Sequence, residues 1–269
     1  MSNDTQEDKA AGNHNFSLYL LAGLTLSMTI MMLGLSLWFL DLGPSLDTLP
    51  PIDEAKSRML DLNPGFRPES WSEFDGDEGT ELTLTSPFVV NLEPLRGISI
   101  QNLRLTGTRV RDLSPLSGAE RLWSFECTEN PLLDSIAPLG SVSDLERLVL
   151  SGSSVNDLTA ISNLSLDVLD VRNSRVSDLS PIANMQLRVL LCAGTNIDDI
   201  KILAGMDSLE VINVKETQVA SLEPLATCDS LERIDADEPL LQASQFLLEH
   251  PNRDRLLLNN VPVGTFFVD

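Results

Sequence analysis

Side chains able to run covalent or acid–base chemistry are few and scattered. The 269 residues include two histidines, His14 and His250, and three cysteines, Cys127, Cys192 and Cys228. Nucleophilic catalysis needs a nucleophile, a base within reach and a group that orients the base. His14 falls in a polar amino-terminal tail and His250 near the carboxyl end, so no Ser-His-Asp or Cys-His pair can be assembled between them. Phosphate-binding glycine loops, C-x-x-C and H-E-x-x-H are absent. The acidic run Asp75-Gly76-Asp77-Glu78 hints at calcium, but it lacks the other ligands of a twelve-residue calcium loop and reads as a solvated turn. These residues predict a protein that is not an enzyme and carries no cofactor or metal. The chemistry that remains is recognition.

Charge narrows what could be recognised. With 40 acidic and 18 basic residues the chain carries −22, a balance that repels nucleic-acid phosphates and anionic lipid. Sugar binding through stacked rings has few platforms, Trp123 being the main candidate. An odd number of cysteines gives no disulfide framework and leaves the redox compartment open.

One segment differs from all the rest. From Phe16 to Leu40 there is no charged residue, and the run is long enough to cross the ~30 Å of bilayer hydrocarbon as a helix. Tyr19 and Trp38 stand near its ends, where aromatic rings favour the headgroup level. A cleaved signal peptide is the alternative, but the preceding tail is acidic and WFLDLGP offers no convincing cleavage site. The pattern predicts a polar tail over residues 1–15 and a single transmembrane helix over 16–42. Lys9 and the terminal amine lean toward a cytoplasmic amino terminus with the body of the chain exported. Gly23 and Ser27 form a small-xxx-small pair that could dimerise such helices.

Prolines at 44, 50, 51, 64 and 68 make residues 43–78 an acidic stalk and amino-terminal cap. Within it, Asp53–Leu62 fits a short amphipathic helix contacting through Ile52, Met59, Leu60 and Leu62. Trp71 and Phe74 are expected to close the apolar end of the chain's main body, which begins at Gly79.

From Gly79 the chain repeats. Units start at Gly79, Ile100, Leu122, Leu145, Leu166, Leu187, Leu209 and Leu231, at spacings of 21 to 23 residues. Pairs such as Leu103/Leu105, Leu148/Leu150, Leu169/Val171 and Ile212/Val214 have period two, so each unit opens on a short strand with one buried face. A unit of this length cannot bury its apolar face alone, and stacked neighbours make the core continuous. Segments such as Asp112-Leu113-Ser114-Pro115-Leu116 then turn the chain: Asp accepts a backbone N–H at the start of a helical turn, and Pro is tolerated within it. Too few residues remain for a full helix, so 3₁₀ or irregular turns are expected. After Pro239 the register fails; LLQASQFLLEH reads as a helix and RLLLNNVPVGTFFV as a strand-like closing segment, giving repeats over 79–245 and a carboxyl-terminal cap over 246–269.

These eight units resemble the leucine-rich-repeat family, in its short internalin-like form L-x-x-L-x-L-x-x-N-x-I-x-D-I-x-P-L. The resemblance implies an α/β solenoid, right-handed and curved, with a parallel sheet on the concave face. It departs at the family's Asn ladder position, occupied here by Pro87, Thr108, Asn130, Ser153, Ser174, Thr195, Thr217 and Pro239. Hydroxyls can still bond the neighbouring coil but with fewer donors.

In this register the third, fifth and seventh residues of each unit face solvent on the strands. They include five acids (Glu81, Glu126, Asp170, Asp235, Asp237) and five bases (Arg104, Arg147, Arg172, Lys215, Arg233). Residues 41–269 as a whole carry 37 acids and 17 bases, so basic charge is relatively concentrated on this face. Val149, Val168, Val189, Leu191 and Val211 add an apolar cluster, of a kind that marks interaction sites. The candidate protein-binding patch is these five residues ringed by Arg104, Arg147, Arg172 and Lys215, although β-branched residues suit strands whichever way they point. A scaffold that assembles its own copies at the membrane is the alternative function.

Overall fold

A computed structural model describes residues 52–76 and 79–267. The predicted tail, transmembrane helix and first part of the stalk lie outside the described residues. Among the described residues no helix is long and apolar enough to cross a membrane.

The repeats build one eleven-stranded sheet whose strands lie in chain order. Eight parallel strands open the eight predicted units: β2 (Gly79–Leu84), β3 (Asn102–Thr106), β4 (Ser124–Thr128), β5 (Arg147–Val149), β6 (Val168–Asp170), β7 (Val189–Leu191), β8 (Val211–Asn213) and β9 (Arg233–Asp235). Preceding them is β1 (Trp71–Gly76), antiparallel to β2. At the far end β10 (Leu257–Leu258) runs parallel to β9, and β11 (Val261–Pro262) returns antiparallel to β10. Asn259 and Asn260 both have positive φ between β10 and β11, which two-residue hairpin turns require.

Each strand alternates as its sequence demands. Leu103 and Leu105 of β3 are buried, as are the matching Leu148, Leu169, Leu190, Ile212 and Ile234, and together they form one continuous core. Phe125 takes this position in β4 and is the largest fully buried side chain. On the opposite side of each coil the expected 3₁₀ turns appear, for example Ser114–Leu116, Ser180–Ile182 and Glu223–Thr227. Aspartate two residues before the turn's first free amide accepts from it: Asp112 from Ser114, Asp157 from Thr159, Asp178 from Ser180 and Asp199 from Lys201, at 2.7–2.8 Å.

The eighth residue of successive coils is left-handed: Gly107, Glu129, Gly152, Asn173, Gly194 and Glu216 all have φ between 53° and 74°. Glycine fits this turn without strain, whereas Glu129 and Glu216 adopt it against their own preference. Glu216 is exposed. Glu216→Gly is expected to stabilise the fold by about 0.5–1 kcal/mol, since relief of left-handed strain exceeds glycine's extra chain entropy. A raised thermal midpoint checks this; a lowered one refutes it.

Several expectations need correction. Helix α1 (Ile52–Leu62) forms and buries Ala55 and Met59, but Leu60 and Leu62 are 39% and 41% exposed. Trp71 is buried in the amino-terminal lid, whereas Phe74 is 67% exposed, because it alternates to the solvent side of β1. The segment after Pro239 is not one helix: α2 (Glu238–Gln242) gives way at Ala243-Ser244 to a 3₁₀ turn over Gln245–Glu249, and α3 (Val263–Phe266) follows β11. At the ladder position the hydroxyls bond mainly within their own coil. Ser153 and Ser174 accept from the amides of Val155 and Val176, and Thr195 donates to Cys192 O. Only Asn130 reaches back a whole coil, donating to Val110 O at 2.8 Å, because its amide extends one atom further than a hydroxyl. Backbone amides tie the coils together here, as Ser154 to Leu133 O, Arg175 to Val155 O and Gln218 to Ile197 O.

Candidate binding face

The pairing register brings the predicted residues into two rows across the outward face of the sheet. In the first row Arg147, Val168, Val189, Val211 and Arg233 stand on adjacent strands in direct opposition. In the second, Arg104, Glu126, Val149, Asp170, Leu191, Asn213 and Asp235 do the same. Arg172 and Lys215 follow the ends of β6 and β8, still on the outward side.

The apolar cluster is smaller than expected. Val168, Val189, Leu191 and Val211 are half-buried and reach solvent. Val149 is only 5% exposed and stands between its cross-strand neighbours Glu126 and Asp170. The accessible cluster is therefore an unbroken run of three valines with Leu191 beside it.

The basic ring is likewise not a set of unpaired cations. Arg104 bridges Glu81 at 2.7 Å and Glu126 at 2.8 Å, and Arg147 reaches the other oxygen of Glu126 at 3.1 Å. The result is a ladder Glu81–Arg104–Glu126–Arg147 spanning four strands. Arg172 grips Asp170, whose carboxylate also accepts the Arg172 amide at 3.0 Å. Arg233 pairs with Asp235 at 2.8 Å. Lys215 alone of the predicted ring has no ion pair among the described residues. The arginine side chains remain about two-fifths exposed, so the pairs hold geometry more than they stabilise the fold.

Burial raises the Glu126 carboxyl pKa, but the hydrogen bonds and charges of Arg104 and Arg147 outweigh it and hold it below the ordinary value of 4.5. Bonds from the residue two ahead likewise hold Asp112, Asp157, Asp178 and Asp199 below 3.8. A carboxyl lowered on folding contributes stability above its unfolded pKa and loses it as pH falls through the folded one. Thermal midpoints should therefore be insensitive to these five groups at neutral pH and fall once pH drops below 4.5 to 3.8. Asp178→Ala should flatten that acid limb; an unchanged limb would contradict the assignment.

The groups with reactive chemistry are locked into structure. All three cysteines are buried free thiols. Burial pushes the Cys127 thiol up to about 11 and the Cys192 thiol to about 12, far from a nucleophilic thiolate. His250 is buried, its Nε2 directed at Cys228 O (3.2 Å) and its Nδ1 accepting from the Asn252 amide (3.1 Å), so both ring nitrogens serve the carboxyl-terminal cap. His14 lies outside the described residues. Among the described residues no group of three His, Cys, Asp or Glu side chains is placed to hold a metal.

Sequence reasoning missed Asn63, which is fully buried beneath the amino-terminal lid. Its Oδ1 accepts from the Val90 and Asn91 amides, both at 2.8 Å, and its Nδ2 donates to Asn91 O and Met59 O. Asn63-Pro64 carries only the signal of a turn.

This arrangement of short parallel strands, 3₁₀ turns and a shared core is the leucine-rich-repeat fold. Solved structures with the same arrangement include two internalins. An internalin from Listeria monocytogenes matches with a TM-score of 0.57 at 22% identity, over 66% of this chain and 59% of that one. Internalin C2 from the same organism matches with a TM-score of 0.56 at 20% identity, over 66% of this chain and 80% of that one. The chain thus spans rather more than half the length of the first. No protein-family profile and no curated protein matches.

Proposed function

We propose that the chain is a single-pass membrane protein, not an enzyme, that recognises a protein partner on the concave face of its repeats. The observation that carries the reading is the run Val168–Val189–Val211 with Leu191, which reaches solvent in a face whose arginines are paired with carboxylates. A paired arginine costs less to bury than an unpaired one, and four apolar side chains on the strands supply the area a partner can cover. Lys215, unpaired, gives that partner one cation to meet with a carboxylate. The charge-free stretch Phe16–Leu40 supports the anchor, and Lys9 a cytoplasmic amino terminus with exported repeats.

The test is proximity cross-linking in intact cells, followed by recovery of the full chain and its bound protein. The double variant Val189→Asp/Leu191→Asp should lose that protein, while Ile202→Asp, on an exposed turn of another face, should keep it. Equal recovery by both variants would sink the concave-face reading. Protease shaving of intact cells, read at the carboxyl terminus, tests the orientation separately.

A further inference from the structure

We propose that a cleft on the lateral edge of the solenoid, around Trp123, binds a neutral oligosaccharide independently of the concave face. The cleft is shallow and open to solvent, with a volume of about 760 Å³, as suits a chain of sugar rings lying along a surface. It lies where the longest unit, Leu122 to Asp144, meets the next, and it is lined by Gln101, Arg121, Trp123, Asp144, Glu146 and Ser165 among others. A second cleft of about 320 Å³ continues along the same edge, sharing Glu146 and Ser165.

The backbone of Trp123 is held on both sides. Its amide donates to Gln101 O at 3.1 Å, and its carbonyl accepts from both Glu146 and Arg147 at 2.9 Å, so its backbone is bonded to the coils on either side. The half-buried indole has no acceptor for its Nε1–H among the described residues. Gln101 is 93% buried; its Oε1 accepts from the Thr80 amide at 2.6 Å, while its Nε2 has no acceptor among the described residues. Arg121, held at φ 69°, likewise has no ion pair among them, and Glu146 accepts no side-chain bond.

Among the described residues the cleft therefore offers an aromatic face together with unpaired donors (indole, amide, guanidinium), the unpaired carboxylate of Glu146, and Asp144, whose Oδ1 accepts from the Ser143 hydroxyl at 3.1 Å. A sugar ring fits both halves of that description. Its C–H face is electropositive and suits the negative face of an indole, and each hydroxyl donates and accepts at once. Formal charge decides against the other guests. Asp144 and Glu146 disfavour an anion, and Arg121, unpaired in the same cleft, disfavours the basic peptide that an acidic chain would otherwise attract.

The experiment is calorimetric titration of the full chain, in a detergent without a sugar headgroup, with cellotriose, chitotriose and maltotriose, and separately with hexalysine. At least one trisaccharide should bind. Trp123→Ala should weaken it by about tenfold or more and Trp123→Phe by no more than about threefold. Glu146→Ala, which changes an exposed residue, should weaken it by about threefold or more, and Val189→Asp/Leu191→Asp should leave it unchanged. No saturation by any trisaccharide at about 10 mM overturns the proposal, as does sugar binding indifferent to both Trp123→Ala and Glu146→Ala. Hexalysine binding that depends on Trp123, without sugar binding, would replace it with a cation site.

Discussion

Asn63→Ala is expected to lower the unfolding free energy by about 3 kcal/mol, although the residue touches no candidate site. The side chain is fully buried and makes hydrogen bonds to Met59, Val90 and Asn91 through both ends of its amide. Alanine leaves two amides and a carbonyl facing a space with no replacement partner, and each unsatisfied group costs about 1–3 kcal/mol where water cannot enter. Water reaching the Val90 end reduces the sum, which is why the figure sits low in the range. Asn63 also joins α1 to the first coil, so its loss should loosen the whole lid. Leu62→Ala, one residue away but exposed, should change stability by no more than about 0.5 kcal/mol. Urea unfolding of both variants measures the contrast; similar midpoints would remove the clamp from the account.

The second large effect is expected at Phe125. This ring sits in β4 where the other coils place Leu or Ile, and it is wholly inaccessible. Phe125→Ala should cost about 3–5 kcal/mol through lost transfer energy and the cavity left behind, whereas Phe125→Leu restores the residue of neighbouring coils and should cost less than about 1.5 kcal/mol. In a solenoid each coil touches only its neighbours, so stability is a sum of coils and interfaces. A cavity in β4 weakens the joints to β3 and β5 together. Unfolding of Phe125→Ala followed by tryptophan fluorescence and by far-ultraviolet circular dichroism should give curves that no longer coincide. Coincident curves, shifted or not, would mean that the coils on either side do not part at β4.

Most of the repeat architecture could be read from residue spacing, because burial in a stacked coil imposes the same demand every 21 to 23 residues. Leu103 and Leu105 predict β3, its buried face and its register with Phe125 and Cys127, and the pairing agrees. What could not be read depends on neighbours that periodicity does not describe. Val149 looks like Val168 in sequence, yet it is buried between Glu126 and Asp170 of the adjacent strands, neighbours that no single unit reveals. The arginines look like a cationic rim in sequence, and only the ladder through Glu81 and Glu126 shows them paired. Phe74 reads as part of the lid on hydrophobicity alone, although its two-residue alternation with Ser72 already puts it on the solvent side. Asn63 carries no periodic signal whatever.

The two outermost strands have a consequence for the length of the protein. A parallel sheet of identical coils has no inherent stopping point, and an open edge invites another chain to add a strand. Here each edge strand runs against its neighbour. β1 carries Glu73 and Asp75, and β11 contains Pro262, which has no N–H to offer an incoming partner. Both ends thus discourage a further strand, while β3 to β8 share one parallel register. Evolution or a designer could lengthen or shorten the molecule by whole coils from the middle, and the outward face of the sheet would grow or shrink in steps without creating a filament.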